Sequence, residues 1–150
     1  MNLKDKINED MKSAMKSGDK LRLETIRSIK ALILEFEKSG SGKELTPDEE
    51  LKMLNGAVKK RRDSIEQFTN AGRLELAQKE ESELKILMSY MPKQLSEDEV
   101  DQEIKRIAEE IGAKGKADFP KLMPKAAQQL KGKADGRVVK AAVDKYLENN

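Results

Sequence analysis

Cysteine and histidine are both absent from the 150-residue chain. Without them there can be no disulfide, no thiol nucleophile, no zinc site of the usual ligand set and no Ser-His-Asp or Cys-His apparatus. Any metal would have to be a hard ion held by carboxylates. Tryptophan is missing too, and aromatics make up only 3%, so single-stranded bases would find little to stack on. No stretch approaches the roughly 18 apolar residues of a membrane span. Met1-Asn2-Leu3-Lys4-Asp5-Lys6 mixes charges where a secretory signal would need an apolar run. The expectation is a soluble, cytoplasmic protein with no cofactor and no membrane partner.

Charge and helix-forming residues are what the chain has in quantity. Charged side chains reach 39% against 37% apolar, and the net charge is only +2. Leu, Ile, Val and Phe supply about a fifth of the residues, enough for order but only for a narrow core. Ala, Leu, Lys and Glu dominate, and these residues lose little rotamer freedom in a helix. The fold class is therefore all-α.

Apolar spacing divides the chain into helices. Leu3, Ile7, Met11 and Met15 form a first stripe that stops at Gly18, and a second helix from Asp19 carries Ile26, Ile29, Leu32, Ile33 and Phe36 up to Ser39-Gly40-Ser41-Gly42. Thr46-Pro47-Asp48-Glu49 reads as a capping box opening a third helix, with Leu51, Leu54, Val58, Ile65 and Phe68 on its face and Arg61 or Arg62 at the missing position. A fourth runs from Arg73, with Leu76, Ala77, Leu84, Leu87, Met88 and Met91 inward, until Pro92. Ser96 and Glu99 form a second capping box, with Leu95 and Val100 as a hydrophobic staple, so a new unit begins there. It holds a helix through Val100, Ile104, Ile107 and Ile111, a second capped by Asp118, and a third capped by Asp135 with Val138, Val139, Ala142, Val143, Tyr146 and Leu147 inward. Pro124 predicts a 3₁₀ or irregular start to the middle helix. The organisation expected is an N-terminal four-helix domain over 1–94 and a C-terminal three-helix unit over 95–150.

Charge in the C-terminal unit is uneven. Ser96 to Gly112 holds two basic against seven acidic residues, whereas Ala113 to Lys145 holds nine basic against three acidic. Lysines gathered on one surface beside the Gly-rich start of the last helix would attract phosphates, and the competing reading is an ordinary solvated surface. Other motifs fare worse. Gly42-Lys43 lacks the flanking residues of a P-loop, and Gly112-Ala113-Lys114-Gly115 lacks the strands that surround a KH loop. Lys59-Lys60-Arg61-Arg62 lies within a helix and spreads around a full turn, so a solvated flank with an arginine stem along the core edge is expected. Glu80-Glu81-Glu83 and the acids of Glu97 to Glu103 have helix-start reasons to exist without a metal. Ser28 with Lys30, or Ser89 with Lys93, would have to be assembled into a nucleophile–base pair that spacing does not support. The methionines are read as adaptable core filler.

Asp10-Met11-Lys12 with Ala14-Met15-Lys16, then Arg27, Tyr90-Met91-Pro92-Lys93-Gln94-Leu95-Ser96 and Lys131-Gly132-Lys133-Ala134-Asp135-Gly136, together resemble the YqeY family across essentially the whole chain. From about Ser96 the chain is also similar to the tail domain of GatB, the B subunit of the glutamine-dependent aminoacyl-tRNA amidotransferase. The resemblance implies an all-helical protein whose C-terminal unit is a non-catalytic, tRNA-associated binding module. Lys121, Lys125, Lys131, Lys133, Arg137 and Lys140 would then contact tRNA phosphates, with no catalytic or metal-binding residue. Two alternatives stand beside it: an adaptor that binds a protein partner through the N-terminal helices, and glutamine-dependent carbon–nitrogen ligase chemistry attached to the family through the shared tail. The family tends to carry Gly where this chain has Pro120 and Pro124.

Overall fold

Each helix starts and stops for a local reason. In the computed structural model, which describes every residue except Met1, Ser41 and Lys43, Asn2 and Asp19 accept from the backbone N–H groups of Asp5 and Arg22 to open α1 (Leu3–Ser17) and α2 (Lys20–Lys38). Gly18, at φ 73°, takes the left-handed conformation that lets α1 end and the chain reverse at once. Thr46 caps α3 (Pro47–Asn70) by accepting from Glu49 N, but its own N–H goes to Glu44 O, so only half of the expected capping box forms. α4 (Leu74–Met88) follows after Gly72. Ser41 and Lys43, part of the Gly/Ser stop and of the rejected P-loop reading, lie outside the described residues.

The full capping box forms at Ser96 and Glu99, opening α5 (Glu97–Ile111). Asp118 was expected to cap the next helix. Its Oδ2 instead accepts from Lys114 N at 2.9 Å, closing a 3₁₀ turn over Lys116–Asp118. The 3₁₀ structure thus precedes α6 (Phe119–Gln129) rather than sitting inside it. Pro120 and Pro124 both fit within α6, because Pro120 falls among the N–H groups that have no intrahelical partner and Pro124 removes a single bond. Asp135 caps α7 (Gly136–Asn149) as expected, accepting from Arg137 N at 2.8 Å. All seven α-helices agree with the all-α expectation, and no strand occurs among the described residues.

The chain divides into two compact units, Met1–Met91 and Pro92–Asn150. In the first, α1 packs on α2, α2 on α4 and α4 on α3. Ile7, Ile26, Ile29 and Ile33 meet Leu54, Val58 and Leu87 in its core. In the second, α5, α6 and α7 pack pairwise around Val100, Ile104, Ile107, Leu122, Ala126, Val139 and Val143. Three residues expected inward face solvent instead: Met15 is 58% exposed, Leu76 39% and Val138 40%. Each sits at the edge of its helix's apolar arc, one position from a fully covered neighbour, and these narrow cores cover only the centre of the arc.

Candidate functional site

Two surfaces gather chemically distinctive side chains, one in each unit. In the second unit all six candidate cations, Lys121, Lys125, Lys131, Lys133, Arg137 and Lys140, are exposed. They do not share one face. Lys121 and Lys125 stand one turn apart on α6, on the flank that also carries Gln129, whose Oε1 accepts from Arg106 of α5 at 3.0 Å. Lys131 and Lys133 lie instead in the turn leading into α7, Arg137 in that helix's first turn, and Lys140 one turn further along. Two hydrogen bonds hold that turn: Gln94 Nε2 donates to Gly132 O at 2.7 Å, and Leu95 N donates to Lys133 O at 2.9 Å. The pinning brings in Lys93, next to Gln94, itself exposed and outside the 113–145 tract. Lys145 leaves the basic set. Its Nζ bonds Asp101 Oδ2 at 2.9 Å, and that bond together with the aspartate charge raises the ammonium above its ordinary pKa.

Beside this turn, α5 and α7 leave an open groove of about 470 Å³ floored by Val100, Val138 and Ala142 and edged by Glu97, Asp101, Arg137 and Lys145. Val138 is one of the three residues whose exposure periodicity does not anticipate.

In the first unit the Lys59-Lys60-Arg61-Arg62 cluster separates by helical geometry, with Lys59 and Lys60 exposed and Arg61 drawn inward. Arg61 Nη1 donates to Glu80 Oε2 at 3.2 Å and to Glu83, while Nη2 donates to Ser28 Oγ at 3.1 Å, so one guanidinium ties α3 to α4 and α2. Arg61 Nε is buried without a partner. Glu80 and Glu83 therefore serve an ion pair, and among the described residues no group of three metal-ligating side chains converges. The serines considered as nucleophiles have other roles. Ser28 Oγ donates to Thr25 O at 2.6 Å and Ser89 Oγ to Ile86 O at 2.5 Å, so each hydroxyl proton is directed to a helix carbonyl and away from any lysine. Between α2 and α3 runs a groove of about 570 Å³, with Leu32, Met53 and Ala57 on its floor and Lys52 and Lys60 on its rim. A shallower part of about 380 Å³ continues it past Phe36, Glu35 and Glu49. No helix is long and apolar enough to cross a membrane among the described residues.

The chain matches the family described as Yqey-like protein over residues 4–147. It is 33% identical over 132 residues to a protein of Pyrenophora tritici-repentis named altered inheritance of mitochondria protein 41, mitochondrial, the match covering 86% of this chain and 71% of that one. The protein of the same name from Lachancea thermotolerans is 32% identical over 107 residues, covering 70% of this chain and 57% of its own. An uncharacterised protein of Schizosaccharomyces pombe is 36% identical over 97 residues, covering 63% and 76%. The matched part is thus little more than half of the Lachancea protein. Relatives named as mitochondrial overturn the cytoplasmic expectation and point to mitochondria. Composition could not separate the two compartments, because a cysteine-free, highly charged helical chain suits either interior.

Proposed function

The chain belongs to the YqeY family, and on that premise we propose that it is a non-catalytic binding protein whose C-terminal domain, 95–150, engages the phosphates of a folded RNA such as tRNA, while 1–94 forms a separate four-helix domain. The observation that carries this reading is the pinned turn: Lys131 and Lys133 are exposed on a loop held by two hydrogen bonds, and Arg137 is exposed in the first turn of α7, which follows it. A cationic loop fixed in shape loses little conformational freedom on meeting a phosphate backbone, and the helix terminus adds to the positive field. Lys140 extends that contact along α7, and Lys121 with Lys125 forms a second, lesser cationic edge on α6. Exposed aromatics are lacking there, so recognition is by shape and charge.

The test is binding of the full chain to bulk tRNA across a salt series, beside duplex DNA. Two charge-reversal variants separate the surfaces: Lys131→Glu/Lys133→Glu/Arg137→Glu on the turn, and Lys121→Glu/Lys125→Glu on α6. The turn variant loses tRNA binding and the α6 variant weakens it, with the salt slope falling by about one for each phosphate contact removed. Wild-type protein that ignores tRNA at low salt, or reproducible turnover in a glutaminase or amide-transfer assay, would overturn the reading.

A further inference from the structure

The α2–α3 groove lies in the other unit and carries an inference independent of RNA binding. We propose that it is the docking site for an amphipathic helix of a protein partner, one with acidic residues beside its apolar stripe. α2 and α3 both pack on α4 and share a core with it, and a groove of about 570 Å³ stays open between them on the outer side. From Lys52 to Ser64 it follows α3 for about 18 Å, the length of roughly three helical turns.

Gly56 is one of the residues lining the groove. It sits in the interior of the 24-residue α3, where glycine weakens a helix. A Cβ built there would meet nothing within 4 Å. The open space is therefore available to a backbone arriving from outside. Met53 on the floor has an unbranched side chain that adapts to whatever packs on it.

Charge selects the occupant. Lys52 and Lys60, about two turns apart on the rim, are exposed and have no ion-pair partner among the described residues. Glu80, which also lines the groove, is already held by Arg61. In the shallow part beyond Lys52, which that residue also lines, Glu35 and Glu49 add negative charge. A helix with glutamates or aspartates flanking its stripe and a basic residue at one end matches this pattern in one direction only. RNA would meet the two lysines but leave the apolar floor uncovered.

The experiment uses the full chain and a synthetic helical peptide of about 16 residues, with leucines on one stripe, glutamates beside it and a terminal arginine. Its counterpart carries lysines in place of the glutamates. Fluorescence polarisation is expected to show wild-type protein binding the acidic peptide in preference. Gly56→Trp, which fills the groove, weakens that binding roughly tenfold or more, and Lys52→Glu/Lys60→Glu exchanges the preference between the two peptides. Circular dichroism and thermal melts establish that both variants are folded, with Gly56→Ala as the variant that keeps α3 helical. Undiminished binding to folded Gly56→Trp, equal binding of both peptides, or no binding at all would overturn the proposal. So would a wild-type dimer that Gly56→Trp dissolves, since a second copy would then be the occupant.

Discussion

The Tyr90 hydroxyl donates to Asp10 Oδ2 at 2.5 Å, joining the segment after α4 to α1 across 80 positions of sequence. Lys6 Nζ sits 5.2 Å from the centre of the same ring. Burial first, and then the bond to Asp10 and its negative charge, push the phenol well above its ordinary value near 10. The unfolded chain would release this proton near pH 10, whereas the folded chain holds it. The associated stability is thus complete below pH 10 and drains away as pH rises past that point. In a Tyr146→Phe background, ultraviolet titration should show Tyr90 ionising only together with alkaline unfolding. A phenolate appearing near pH 10 in folded protein would contradict this. Asp10→Asn should bring the midpoint down only partway, because burial remains.

Arg61 ties three helices of its unit together. Replacing it by Met leaves Glu80 and Glu83, only 26% and 12% exposed, facing each other without a counter-ion. We expect a loss of about 2–4 kcal/mol in urea unfolding. Arg61→Lys should recover only part of it, since an ammonium cannot present the guanidinium's separated N–H groups to α2 and α4 at once. A loss below about 0.5 kcal/mol for Arg61→Met would show the pair to be no more than a surface contact.

At the start of α5, the Ser96 N–H and hydroxyl hold the Glu99 carboxyl below the ordinary carboxylate range. The depressed value means that this contribution is present above the ordinary carboxylate pKa and is lost as pH falls through the folded one. Urea midpoints for Glu99→Gln and wild type should therefore differ at neutral pH and converge in acid. Parallel curves throughout would show that the box is not populated.

Gly56→Ala should stabilise the chain by about 0.5–1 kcal/mol, because the added methyl meets open space and removes the entropic weakness of glycine in a helix interior. A thermal melt reads this directly. A destabilised variant would mean that the space over α3 is closed in solution.

Helix positions were legible from sequence because stripes such as Val100, Ile104 and Ile107 repeat with the period of a single helix. Which helix packs on which is not contained in that period, so the groove left open between α2 and α3 could not be foreseen. Arg61 did leave a trace. It stands where the Leu54–Val58–Ile65 stripe lacks an apolar residue, and a cation at such a gap needs acceptors, which α4 supplies from Glu80 and Glu83. Asp118 misled because a carboxylate near a helix start can serve a loop N–H as readily as the helix, and here Lys114 N takes it. The cations at 131, 133 and 137 were visible as composition. Their fixed arrangement depends on Gln94 and Leu95, almost forty positions upstream, and no local pattern reports such a bond.

The same two bonds make the amide of Leu95 a natural clock for the cationic turn. Its hydrogen can exchange with solvent only when the bond to Lys133 O breaks, and that rupture also frees the turn. Exchange at this single amide therefore counts the turn's excursions directly, with no probe attached. A polyanion that settles on the turn will slow the count even if no atom of it comes near Leu95.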